Sequence, residues 1–127
     1  MITGKFPNLR LRRNRKTEWL RRLVAENNLT TSDFILPVFI IEGNNKKQPI
    51  KSMPGVFRYT IDKLGHVLDK ALKLKIPMIA LFPYIDLSKK DTHGSEALNE
   101  DNLICKATRY VKEKYKNQIG IMCDVAL

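Results

Sequence analysis

Cysteine is scarce in this chain, and no stretch of apolar residues is long. Only Cys105 and Cys123 are present, with no CxxC spacing. This excludes a disulfide framework and a metal knuckle and points to a reducing compartment, the cytoplasm, with both thiols buried as small hydrophobes inside a helix and a strand. The longest apolar stretches, Phe34 to Ile41 and Ile76 to Ile85, are broken by Pro37, Pro77 and Pro83. They fall well short of the roughly 20 residues that cross a bilayer. The opening Met1-Ile2-Thr3-Gly4-Lys5 has no apolar h-region, so neither a membrane span nor a secretion signal is expected. Both phosphate-binding fingerprints, GxGxxG after a strand and GxxxxGK[ST], are missing, which removes support for nucleotide binding of those kinds. No lysine falls in any strand expected below, so no desolvated Schiff-base lysine is offered.

What is there fits one globular domain: 127 residues, 43% hydrophobic and 28% charged. Acidic residues are outnumbered, and the net charge of +10 is concentrated at one end. Residues 1–22 hold Lys5, Arg10, Arg12, Arg13, Arg15, Lys16, Arg21 and Arg22 against Glu18 alone. Such an arm suits nucleic-acid phosphates or an acidic protein surface. Phe6, Leu9, Leu11 and Trp19 interleave the charges, and these apolar anchors favour a protein surface over nucleic acid.

The expected organisation is a basic arm with a short helix over 1–28, then a domain over 29–127. Thr17 is placed to cap a helix running to Glu26. A first strand follows at Phe34–Ile41, with Pro37 marking an edge or an irregular entry. Residues 42–56 read as loop, in which Pro54-Gly55 suits a type II turn. Thr60 caps a helix with Ile61, Leu64, Leu68, Ala71 and Leu72 on one side. Met78–Phe82 is a second apolar strand, and residues 84–100 form a long polar loop of the kind that often carries function. Asn99 caps a helix from Glu100 to about Lys116, which leads into a third strand, 120–127. Apolar strands alternating with amphipathic helices specify right-handed crossovers and a parallel sheet. Three such strands are part of a barrel or of a doubly wound sheet, and the chain reads as stopping short of a closing element.

Few residues offer chemistry. In the last strand Met122, Asp124 and Ala126 share one face and Ile121, Cys123 and Val125 the other. Asp124 is then directed into a barrel interior near the C-terminal end of its strand, where barrel enzymes keep their reactive groups. A carboxylate in apolar surroundings needs a partner: a cationic substrate, a lysine, a metal or a hydrogen-bond network. His66 reads as a helix-surface residue, and His93 lies in the long loop without a visible nucleophile. Lys89 and Lys90 are either solvated or placed to close over an anion.

Seven segments in order carry a resemblance: Phe6-Pro7-Asn8-Leu9-Arg10-Leu11-Arg12-Arg13-Asn14-Arg15; Arg21 to Leu29; Ile35-Leu36-Pro37-Val38-Phe39 with Glu42-Gly43; Ser52-Met53-Pro54-Gly55-Val56; Ala80-Leu81-Phe82-Pro83; Gly94-Ser95-Glu96-Ala97; and Asp124-Val125-Ala126-Leu127. Together they resemble the N-terminal portion of the porphobilinogen synthase, or 5-aminolevulinate dehydratase, family. The resemblance implies a partial (β/α)8 TIM barrel, its first three strands with their helices, preceded by the basic arm. It implies a lyase that condenses two molecules of 5-aminolevulinate to porphobilinogen with loss of water in haem and tetrapyrrole biosynthesis. It further implies a homo-oligomer, an octamer in the family, joined through the arm. Asp124 matches an active-site aspartate of the family that helps place the substrate amino group; the family's Schiff-base lysines lie on later strands. Ala126 stands where zinc-dependent members carry a cysteine, so a cysteine-ligated zinc is not expected and magnesium is the metal implied for the full-length enzyme. The chain alone is expected to be inactive. The alternatives are a non-catalytic remnant or subunit-docking fragment and, further off, a nucleic-acid binder acting through the arm.

Overall fold

The computed structural model describes residues 4–10 and 12–124. Its centre is a mixed α/β arrangement with one sheet of five strands: β1 (Ile35–Ile40), β2 (Lys47–Pro49), β3 (Phe57–Tyr59), β4 (Met78–Pro83) and β5 (Gly120–Cys123). Their spatial order is β2-β3-β1-β4-β5. β1, β4 and β5 are parallel, with Ile35 opposite Met78 and Met78 opposite Gly120, and these are the three strands expected from the apolar runs.

The other two strands correct the sequence reading. Residues 47–49 and 57–59 form an antiparallel hairpin, and β3 also pairs in parallel with the end of β1 through Phe39 and Ile40. Segments of three residues are too short for periodicity to register. Their signal lay in the turn between them. Pro54 and Gly55 occupy the centre of a turn closed by the Val56 N–H on the Met53 carbonyl, and Gly55 has φ +83°, the type II geometry that favours glycine. The hairpin also places Lys47 in a strand, contrary to expectation; its ammonium lies 4.1 Å from the Phe57 ring centre, on an exposed surface.

Among the described residues there are three α-helices: α1 (Glu18–Leu23), α2 (Leu64–Lys73) and α3 (Leu103–Tyr115). α1 is shorter than expected and buries no residue, and the Thr17 side chain makes no capping bond. With no apolar stripe buried, nothing extends the helix beyond its own weak local preference. Thr60 likewise does not cap. Fully buried, its hydroxyl accepts from the Lys46 N–H at 3.1 Å and lies 3.3 Å from the Lys46 carbonyl, clamping the hairpin to the chain that enters α2. Asn102, not Asn99, caps α3, accepting the Cys105 N–H at 2.8 Å. No helix is long and apolar enough to cross a membrane among the described residues.

Both long helices pack on one face of the sheet. Leu64, Leu68 and Ala71 of α2 and Leu103, Ala107, Val111 and Tyr115 of α3 follow helical spacing and meet Val38, Ile40, Ile79 and Leu81 in a single core. Tyr115 fixes the two helices to each other. Its hydroxyl donates to Asp69 Oδ1 at 2.8 Å and lies 3.3 Å from the Gly65 carbonyl, while burial and then the Asp69 bond push its pKa up. The alternate strand residues, Ile35, Pro37, Phe39, Met78, Ala80, Phe82 and Met122, form the opposite face, which neither α2 nor α3 covers. On it the Phe39 and Phe82 rings stack with centres 5.5 Å apart.

Candidate active site at the C-terminal end of the sheet

Parallel strands deliver their C-terminal ends to one side of the sheet, and the loops that leave them meet there. Between the ends of β4 and β5 and the start of α3 lies a pocket of about 220 Å³. Pro83, Ile85, Ala97 and Ile104 give it apolar walls, and Lys89, Lys90, Asp91, Glu96 and Asp124 bring charge to its rim.

The long loop after β4 forms one wall, and its carboxylates hold its own shape. Asp86 Oδ1 accepts the Ser88 N–H at 2.9 Å and the Ser88 hydroxyl at 2.7 Å, and these bonds hold its carboxyl below the ordinary value. Asp91 Oδ1 accepts the N–H groups of His93 and Ser95 at 2.9 and 3.0 Å, and its carboxyl is lowered chiefly by Ser95. Asp86 and Asp91 are therefore committed to turns. His93 joins this network through its backbone, and His66 is exposed on α2, away from the pocket.

Lys89 is committed as well. Its ammonium bonds Glu42 Oε1, just past the end of β1, and lies 3.9 Å from Glu96 Oε1. The Glu42 bond is the main reason that its pKa is raised. A lysine held protonated between two carboxylates is a poor nucleophile. Lys90, by contrast, forms no ion pair among the described residues. Glu42 was not assigned a role from sequence; its signals were its place directly after an apolar strand and, with Gly43, its part in one of the resembling segments.

Asp124 follows β5 immediately, its N–H 3.4 Å from the Leu81 carbonyl, and its exposed side chain lines the pocket. The thiols differ from expectation. Cys105 is half-buried and Cys123 exposed, and both border the same pocket, with Cys123 Sγ 3.4 Å from Thr108 Oγ1. β5 is the outermost strand, so no neighbouring strand covers Cys123. Ala126, the position bearing on zinc, lies outside the described residues, as does the remainder of the expected third strand. No group of three metal-binding side chains occurs among the described residues.

A strand of this shape bearing a carboxylate at its end is common to many folds, but the sequence match is specific. The model of the family described as Delta-aminolevulinic acid dehydratase matches residues 8–127. The chain belongs to that family. A Delta-aminolevulinic acid dehydratase from Bradyrhizobium diazoefficiens is 55% identical over 119 residues, covering 94% of this chain and 33% of the relative. Another dehydratase of that name, from Chlamydia pneumoniae, is 37% identical over 118 residues, covering 93% of this chain and 35% of its own length. The crystal structure of the Toxoplasma gondii ME49 dehydratase (porphobilinogen synthase), in complex with the reaction product porphobilinogen, superimposes with a TM-score of 0.83 at 34% identity, over 94% of this chain and 33% of that one. This dehydratase-family chain thus spans about a third of the length of each of these three relatives.

Proposed function

We propose that this chain supplies the first third of a (β/α)8 barrel that condenses two molecules of 5-aminolevulinate to porphobilinogen with loss of water. The family match over residues 8–127 is the observation that carries this reading. In it β1, β4 and β5 are consecutive barrel strands, and their uncovered apolar face is the barrel interior. The pocket at their C-terminal ends is one side of the active site. Asp124 binds the ammonium group of a substrate molecule, because an exposed carboxylate beside apolar walls favours a cation. It is a binding group, with no assigned proton transfer.

The chain by itself lacks the nucleophile. Lys89 is held protonated by Glu42, and Lys90, though at the pocket's rim, is exposed to solvent, so neither suits Schiff-base formation. For the complete enzyme we propose magnesium, on the ground that alanine stands at position 126. The described residues do not fit a metal centre, and none is assigned to it. The homo-oligomer joined through residues 1–28 and a cytoplasmic location belong to the same reading; exposed Phe6, Trp19, Leu23 and Leu29 beside the arginines of the arm support protein docking.

The test is an assay of porphobilinogen formation from 5-aminolevulinate. The 127-residue chain is expected to give none alone. Mixed with a polypeptide corresponding to the other two thirds of the Bradyrhizobium relative, it is expected to give turnover that Asp124→Asn reduces by at least about tenfold, the scale of one charge-assisted contact. Turnover by the chain alone would sink the assignment of the missing lysines.

A further inference from the structure

Within the strands, the open face of the sheet carries a single charge. Arg58 is the only arginine in the five strands, and none of them contains Asp or Glu. Its neighbour Tyr59 packs against the core beneath the helices, so Arg58, one residue earlier, turns to the opposite side. There it stands between Gln48 and Phe39, and Phe39 is itself abreast of Phe82. Tyr84 prolongs the same alternation past β4, its N–H donating to the Ile40 carbonyl at 2.8 Å. The Arg58 guanidinium lies 4.6 Å from the centre of the Tyr84 ring. The side chain therefore reaches across the end of β1, toward the C-terminal end of the open face.

Contact with a ring leaves the N–H fork of a guanidinium free to meet an anion. Arg109 uses its fork in that way, meeting Asp101 Oδ1 at 2.7 Å. Arg58 is half-buried and forms no ion pair among the described residues. The first carboxylates that follow β1, β3 and β4 are engaged elsewhere: Glu42 holds Lys89, Asp62 accepts the Asn45 N–H at 3.0 Å, and Asp86 holds Ser88. Enclosed in a barrel beside Phe39 and Phe82, an unpaired guanidinium requires an anion.

We infer that Arg58 binds the carboxylate of a substrate molecule. This rests on the reading that the chain supplies the first third of a barrel acting on 5-aminolevulinate, and deepens it. That substrate is a zwitterion: Asp124 serves its ammonium end, and its carboxylate needs a cation, which Arg58 supplies on the inner face. The fork of N–H donors matches a planar carboxylate in bidentate fashion. The rings of Phe39, Phe82 and Tyr84 give the carbon chain an apolar floor beside it. The carboxylate takes no part in the condensation and is kept in porphobilinogen. Arg58 is thus a binding group that holds substrate and transition state alike, and its loss raises KM more than it lowers kcat.

The experiment mixes the 127-residue chain with the polypeptide corresponding to the other two thirds of the Bradyrhizobium relative and measures turnover against two probes. Levulinate is the substrate without its amino group, and aminoacetone keeps the ammonium and the ketone without the carboxylate. Arg58→Gln is expected to raise the KM for 5-aminolevulinate and the inhibition constant of levulinate by at least about tenfold, the loss of one charge-assisted contact, and to leave that of aminoacetone unchanged. Arg58→Lys, which keeps the charge and loses the fork, should recover levulinate binding in part. Asp124→Asn should do the reverse, weakening aminoacetone and sparing levulinate. Equal weakening of both probes in Arg58→Gln, or a fall in kcat with KM unchanged, overturns the assignment and leaves the barrel reading standing. Failure of the Arg58→Gln chain to join the other polypeptide overturns it as well, because Arg58 then pairs with a carboxylate of that polypeptide. No turnover in the unsubstituted mixture brings down the barrel reading, and the inference with it.

Discussion

The two faces of the sheet are made from the same kind of residue and meet different fates. Val38, Ile40, Ile79 and Leu81 point to the helices and are at most 2% exposed, whereas Ile35 and Met122 on the other face are 46% and 47% exposed. Strand composition therefore does not tell which face carries this chain's stability. The helices do, because only one face receives α2 and α3. An apolar face left uncovered contributes little to the folded state that displays it and marks a surface awaiting a partner.

Truncation on the covered face should have the largest effect. Leu81→Ala, at a fully buried site, is expected to cost about 2–5 kcal/mol and to lower the urea midpoint accordingly. If it costs no more than a surface substitution, the covered face is not the core. Removal of the Tyr115 hydroxyl in Tyr115→Phe should cost about 0.5–1.5 kcal/mol through its bonds to Asp69 and Gly65. It should also change the response to alkali. Because the folded state holds the Tyr115 proton more tightly than the unfolded chain, its stabilisation is complete below the ordinary tyrosine value and fades as pH rises through the higher folded one. The phenylalanine variant should lack that alkaline decline in thermal scans. Asn102→Ala removes the cap of the helix that supplies half of the covering layer and should cost about 1 kcal/mol. The smallest effect is expected on the open face: Met122→Ser should change stability by less than about 0.5 kcal/mol while lowering light scattering at high concentration. A loss as large as that of Leu81→Ala would mean that the open face is packed after all.

Much of the covered face could be read in the sequence. Leu64, Leu68 and Ala71, and Ala107 and Val111, repeat at helical spacing, and the three parallel strands are continuous apolar runs. The hairpin could not be read from period, since Lys47–Pro49 and Phe57–Tyr59 are shorter than any repeat and are held by the buried Thr60 hydroxyl, a contact between residues distant in sequence. The caps misled for a related reason: Thr17 and Thr60 have the right chemistry at the right place, but whether a hydroxyl caps depends on which N–H groups turn toward it. At the site, alternation along the last strand set Asp124 and Cys123 on opposite faces, yet both border the same pocket, because β5 ends at Cys123 and Asp124 lies just past it. The pairing of Lys89 with Glu42 was not legible, because it joins loops from two different strands, and the exposure of Cys123 depends on β5 lying outermost.

The hairpin also bears on the order in which the chain folds. β1 cannot pair with β4 until the whole segment between them has been drawn together, an entropic cost that delays parallel sheets. β2 and β3 are separated only by the loop of residues 50–56, a far shorter closure than that between β1 and β4, and hairpins of this kind form on a timescale of about 1–10 μs. Once formed, β3 offers Phe39 and Ile40 a ready ladder, so the end of β1 is expected to be organised before β4 arrives. Loosening the turn with Gly55→Val should therefore slow refolding in stopped-flow measurements, whereas a change of equal cost in β5 should chiefly hasten unfolding. In that sense residues 47–59 act as the template on which the first parallel strand is laid down.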